Sequence, residues 1–198
     1  MERSIDRLCL PHLDAETILD VIERFVAFEQ DWVPSEKGES LYIRPYEFGC
    51  DEPIGLHTIK KAKFMIITCP VGNYYKEGLK PVKIAIEEHD VRAVRGGTGD
   101  CKVGGNYAAS NRAEAVAEEN GFTQVLWLDA IERKYIEEVG SMNIMFVIDG
   151  TVVTPELNGS ILPGITRASA LELLRDKGYK VEERKLSIDE LIEAAEAG

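Results

Sequence analysis

The sequence predicts a mixed α/β (α+β) chain built in two parts. Three observations lead there. Strand-like and helix-like segments alternate along most of the chain, the pattern of sheets flanked by helices. Asp149-Gly150 between two β-rich runs is a two-residue hairpin signal, which a purely parallel, doubly wound sheet does not contain. The stretch 71–81, with Gly72, Gly78 and Pro81, breaks the rhythm and reads as a connection between domains.

Residues 13–28 place Ile18, Val21, Ile22, Phe25 and Val26 on one face at helical spacing, with Asp14 as N-cap and Thr17 three residues on. Residues 32–40 read as a loop, 41–46 as a short strand ending near Pro45, 49–55 as a second loop and 63–69 as a buried strand. A strand is expected at 82–86, then a glycine-dense run, then a helix over 107–119 ended by Asn120-Gly121. Strands at 124–128, 143–148 and 151–154 follow, then a helix over 164–177 closed by Gly178, and a strand at 179–184. Ser187 starts the last helix, with Glu190 completing a capping box. The domain boundaries read as 1–72, a linker at 73–80, and 81–198.

A chain of 198 residues, 44% hydrophobic and 29% charged, has the profile of a globular protein with a sizeable core. Its net charge of −12 repels phosphate backbones and anionic lipid, which argues against nucleic-acid and membrane partners but permits a local basic site. No apolar run approaches a membrane span, and MERSIDRLCL lacks the apolar core of a signal peptide, so the cytoplasm is the expected location. Cys9, Cys50, Cys69 and Cys101 form no metal-ligand spacing and read as reduced thiols; no metal site is expected.

The run RGGTGDCKVGGNYAAS, residues 95–110, is the most informative segment. So many glycines cost entropy on ordering, and a chain tolerates that where backbone passes close to something bulky or takes positive φ. Lys102 sits in the middle of the run, just before a helix, as a side chain delivered to a cleft would. Lysine forms Schiff bases with carbonyl cofactors, although a solvated loop lysine and a phosphate-cradling loop fit the same run. A P-loop is excluded, because Val103 follows Lys102 where that motif needs Ser or Thr.

Residues 96–107 resemble the cofactor-lysine segment of branched-chain amino acid aminotransferases, which are fold-type IV pyridoxal phosphate enzymes. Further matches follow the family's order: RLCLP, DWVP and SLYIRPYEFG before the lysine, then YIEEVGSMNIMFV and LNGSILPGITRAS after it. The resemblance implies a two-domain class IV aminotransferase-like fold. Residues 1–72 would be the substrate side of its small domain, and 81–198 part of its large, cofactor-binding domain.

It also implies roles for single residues. Lys102 would carry pyridoxal 5′-phosphate as a Schiff base and move the proton. Glu138 matches the carboxylate facing the pyridine nitrogen; if its segment is a strand, Glu137 points to the other face and only one of the two reaches the ring. Tyr107 matches the tyrosine that meets the phenolic oxygen. Leu162, Gly164, Ile165 and Thr166 match the turn and helix start that seat the phosphate. Arg92 resembles an arginine near that phosphate, and Ser141 and Asn143 lie along the cofactor's edge. Tyr42 and Arg44 match substrate-placing residues, the arginine suited to a carboxylate such as that of glutamate. The implied substrates are leucine, isoleucine or valine with 2-oxoglutarate, and the implied assembly is a homodimer. His12, His57 and His89 match no role. The family's chains extend further at both ends, so a shortened, inactive chain with a partial cofactor site is the alternative expectation.

Overall fold

The computed structural model describes residues 1–72 and 80–197. Residues 73–79 of the expected linker lie outside the described residues. The chain divides into two compact units, Met1–Pro81 and Val82–Gly198.

The first unit begins with α1 (Glu2–Arg7) and α2 (Ala15–Phe28). Asp14 caps α2 as expected, accepting from the Thr17 N–H at 2.9 Å, and Glu2 accepts from the Ala15 N–H at 2.8 Å, which fixes α1 against the same helix start. A 3-10 turn, Gln30–Trp32, leads to β1 (Ser40–Gly49), which pairs antiparallel with β2 (Ala62–Val71) along its full length. The expected strand end near Pro45 is therefore wrong. In a two-stranded ribbon each strand has one unpaired edge, and a proline whose missing N–H faces that edge costs no ladder bond.

The second unit contains two three-stranded sheets. In the first, β3 (Ile84–Glu87) runs parallel to β4 (Gln124–Leu128) and β5 (Ile136–Val139) antiparallel to it. The connection from β3 to β4 carries α3 (Gly104–Glu119). In the second, β6 (Phe146–Ile148) and β7 (Thr151–Pro155) form the expected hairpin, with positive φ at Asp149 (48°) and Gly150 (71°). β8 (Lys180–Arg184) then lies parallel to β7, connected through α4 (Ile165–Asp176). The last helix is α5 (Ile188–Ala197). Of its expected capping box, the Ser187 hydroxyl accepts from the Glu190 N–H at 3.1 Å, while the Glu190 carboxylate pairs with Arg184 instead.

Packing explains the two departures on this side. α3 starts at Gly104, three residues before the expected Tyr107, because its buried stripe is Asn106, Ser110, Ala113 and Ala117. Those residues are small or polar and carry little apolar periodicity. They suit close approach: Ala113 and Ala117 pack on Val125 and on Trp127, which is fully buried. Only 146–148 of the expected strand 143–148 pairs, because Asn143 is turned to other partners, described below. The main core, Leu126, Leu128, Ile136, Val139, Val153 and Leu186, joins β4, β5, β7 and the turn after β8. No helix among the described residues is long and apolar enough to cross a membrane.

This topology leaves two long βα loops, 88–103 and 156–164, each following the carboxyl end of a strand with a parallel neighbour. Ligands of α/β sheets gather at such ends. A third loop, 129–135, aims β5 and is held by Asp129, whose carboxylate accepts from the N–H groups of Ile131, Glu132, Lys134 and Tyr135 at 2.7–3.2 Å. Burial pushes that carboxyl up, but the four N–H groups outweigh it and hold it below its ordinary 3.8. Its stabilising contribution is thus present above 3.8 and lost as pH falls through the lowered value. Asp129→Ala is expected to cost about 1.5–3 kcal/mol at neutral pH. Urea unfolding at pH 7 and pH 3 checks it: the gap to the parent chain should narrow in acid.

Candidate active site

Both βα loops and β5 converge on one open cleft, whose walls include Arg92, Cys101, Asn106, Tyr107, Glu138, Gly140 and Leu162, with the exposed Ser141 at its rim. Its geometry starts with backbone. Gly99 is buried, and a Cβ there would lie 2.1 Å from the Ser160 carbonyl oxygen and 2.5 Å from the Ala93 Cβ. Gly99 is what lets the two loops touch. Asn106, in the first turn of α3, donates to the carbonyls of Thr98 and Cys101 at 2.8 Å each and accepts from the Thr98 hydroxyl at 2.7 Å. Three bonds from one buried amide thus fix the loop on either side of Asp100 and deliver Lys102 at its end. The Lys102 Nζ is in hydrogen-bond contact with the Tyr107 hydroxyl and stands 5.0 Å from the centre of that ring.

β5 supplies the carboxylates. Glu137 and Glu138 are both buried, and their partners lie on different sides. Glu138 Oε1 accepts from the Leu162 N–H at 2.9 Å and the Asn143 amide at 3.2 Å. Its Oε2 lies 3.0 Å from the buried Arg92 Nε. That N–H is not directed at the oxygen and has no hydrogen-bond acceptor among the described residues, so the pairing is coulombic. The Arg92 Nη2 instead donates to the Ser160 carbonyl and, at 3.4 Å, to the Gly99 carbonyl. Burial raises the Glu138 carboxyl above the ordinary carboxylate range; Arg92 and the Leu162 N–H pull it down, Glu137 pushes it up, and Lys102 pulls it down. Lys102 therefore lies within coulombic reach of Glu138.

Asn143 is the hinge of the remaining wall. Its amide also donates to the Leu162 carbonyl at 2.8 Å, and its Oδ1 sits where a Cβ on Gly164 would go, 2.3 Å away. Gly164 is the N-cap of α4 and offers no side-chain cap, while Ile165 and Thr166 behind it are exposed. The first N–H groups of a helix have no intrahelical acceptor and attract anions.

Of the expected site residues, the structure gathers Arg92, Lys102, Tyr107, Glu138, Asn143, Leu162 and Gly164 through these contacts. Ser141 is an exposed rim residue, and Ile165 and Thr166 open the neighbouring helix. Arg92 was expected near a phosphate, and here it is engaged with Glu138 and two carbonyls. Tyr42 and Arg44 belong to the first unit. There they face one way on β1, with Nη2 3.2 Å from the phenol oxygen and the guanidinium 5.2 Å from the ring centre. Sequence reading missed Asn106 and Ser160. A polar residue in a helix's buried stripe, directly after a glycine run, was the available signal for the first.

A profile of the family described as amino-transferase class IV matches residues 1–197. The chain belongs to the class IV aminotransferase family. Its mixed α/β architecture is part of that family's fold. The TM-score is 0.81 to the branched-chain amino acid aminotransferase of Escherichia coli (27% identity, 94% of this chain, 60% of that one). It is 0.80 to the branched-chain aminotransferase of the thermophilic archaeon Thermoproteus uzoniensis, solved with norvaline (27%, 97% and 62%). In sequence this class IV chain is 56% identical over its whole length to branched-chain-amino-acid aminotransferase 2 of Bacillus subtilis (strain 168) and 53% identical to branched-chain-amino-acid transaminase 1 of the same organism. It spans 54% and 56% of the length of those two relatives.

The residues of the cleft fit pyridoxal 5′-phosphate. An amine, a phenol, a buried carboxylate with a raised pKa and an uncapped helix start match an aldehyde, a phenolic oxygen, a ring nitrogen and a phosphate in turn.

Proposed function

We propose that this chain holds pyridoxal 5′-phosphate on Lys102 and that the protein it forms transfers the amino group between leucine, isoleucine or valine and 2-oxoglutarate. The observation that carries the reading is the contact of the Lys102 amine with the Tyr107 hydroxyl in the cleft that also holds the Arg92–Glu138 pair. The 56% identity to an enzyme named for branched-chain amino acids supports the substrate class.

When bound, the cofactor supplies an electron sink for the substrate's Cα electrons. Lys102 is the group that would take a proton from one carbon and return it to another, since its amine is the one the site delivers beside the Tyr107 hydroxyl. The Tyr107 hydroxyl fixes where that amine sits. Glu138 keeps a proton on a ring nitrogen set against it: burial disfavours the bare carboxylate, and a facing N–H⁺ offsets that cost. Asn143 and the Leu162 N–H orient its Oε1. Leu162, Gly164, Ile165 and Thr166 seat the phosphate at the start of α4, with Arg92 behind it and Ser141 at the rim. Tyr42 and Arg44 receive the substrate, the guanidinium suited to a side-chain carboxylate of glutamate. In this reading 1–72 is the substrate-side domain, 81–198 the cofactor domain, and the working form a cytoplasmic homodimer.

Mixing the chain with pyridoxal phosphate, recording the visible spectrum and then adding leucine and 2-oxoglutarate tests the reading. A visible band that shifts with leucine, with 4-methyl-2-oxopentanoate formed, is the expected result. Lys102→Ala is expected to lower product formation by at least about 10²-fold. A band without product confines this stretch to holding the cofactor, and no band at all sinks the cofactor assignment.

A further inference from the structure

Glu137 is the neighbour of Glu138 and has no part in the account above, yet it is just as buried, at 4% against 3% exposed. It faces away from the Arg92 pair. Its Oε1 accepts from the Ser160 hydroxyl and from the Asn158 amide at 2.9 Å. Asn158 in turn accepts from the Ser160 N–H at 2.9 Å and lies 2.7 Å from the Ser160 hydroxyl. That hydroxyl has one proton and two acceptor oxygens in reach, Glu137 Oε1 and Asn158 Oδ1. Ser160 is 1% exposed, so its hydroxyl bond to Glu137 is shielded from bulk water, while Asn158 is half-buried.

The same short segment serves the other face of β5. The Ser160 carbonyl accepts from Arg92, and two residues on the Leu162 N–H donates to Glu138. Glu137 and Glu138 thus grip residues 158–162 from opposite sides of one strand.

We propose that Glu137 is a positioning residue for the cofactor site: through Ser160 it fixes the loop whose carbonyl and N–H set the Arg92–Glu138 pair. This deepens the cofactor reading above and rests on it for its consequence, but the positioning itself is a property of the chain alone. Removing the Ser160 hydroxyl should loosen the loop on the far side of the strand. Replacing Glu137 by Gln keeps an oxygen acceptor and should largely preserve it.

Hydrogen exchange of the full chain reads this directly. In Ser160→Ala the Leu162 amide is expected to exchange about tenfold faster, while amides of Val152 and Val153 in β7 keep their protection. Glu137→Gln should stay within about threefold of the parent chain at Leu162. Pyridoxal phosphate affinity, titrated in parallel, should weaken about tenfold in Ser160→Ala and little in Glu137→Gln. Unchanged protection at Leu162 in Ser160→Ala overturns the proposal. So does a loss shared equally with β7, which marks general destabilisation. If the parent chain binds no cofactor, the function reading fails, and the exchange test still stands. With Glu137→Ala added, a faster Leu162 amide in both alanine variants supports the positioning role, and an unchanged one in Glu137→Ala overturns it.

Discussion

Glu138→Ala is expected to destabilise the Val82–Gly198 unit by about 3–5 kcal/mol, because it leaves the buried Arg92 guanidinium without its counter-charge. The variant also strips the acceptor from the Leu162 N–H and one acceptor from the Asn143 amide. The pair as a whole need not be a large source of stability, since desolvating two charges offsets much of their attraction. Replacing both partners, as in Arg92→Met with Glu138→Leu, should therefore cost less than Glu138→Ala alone. Urea midpoints of the three chains decide it. A single-variant loss under about 1 kcal/mol would mean that water reaches Arg92 and the pair is not buried in solution. The pH dependence has a fixed sign. The Glu138 carboxyl is raised above its ordinary 4.5, so its contribution is fully present below that value and is lost as pH rises through the raised one. The stability margin of the parent chain over Glu138→Gln should shrink across that window.

Gly99→Ala is expected to cost at least about 1–3 kcal/mol, since the new methyl meets a backbone oxygen 2.1 Å away and cannot turn aside. The loop around Ser160 must retreat, and with it the carbonyl that Arg92 uses. Cofactor affinity should fall along with the melting temperature. Gly104→Ala is the matched control. No atom lies within 4 Å of a Cβ there, and the residue is helical, so alanine should be neutral or stabilising by up to about 1 kcal/mol. If Gly99→Ala melts like Gly104→Ala, the two βα loops are not in contact.

Much of this was legible in the sequence, for identifiable reasons. The Asp149-Gly150 hairpin and the Asp14 cap are local devices, decided by a few adjacent residues, and both are present as expected. The motifs around Lys102, Glu138 and Gly164 pointed to one site through their resemblance to the family's segments in the same order; the glycine run around Lys102 alone left other readings open. The start of α3 was not legible, because its buried face is alanine, serine and asparagine and shows almost no apolar rhythm. The passage of β1 through Pro45 depended on which edge of the ribbon is free, which is a tertiary fact. Of the adjacent glutamates, the resemblance of the E-V-G-S segment singled out Glu138, but it gave Glu137 no role. The partners of each, Ser160 and Asn158 for Glu137 and Arg92 and Leu162 for Glu138, are tertiary contacts that no local pattern displays.

The central claim is that Lys102 carries the cofactor. Incubation with pyridoxal phosphate, reduction with borohydride and peptide mapping by mass spectrometry test it most directly. The account predicts one pyridoxyl group per chain, on the peptide containing Lys102, and none on that site in Lys102→Ala. Label scattered over the exposed lysines, or label unchanged when Lys102 is removed, would contradict it.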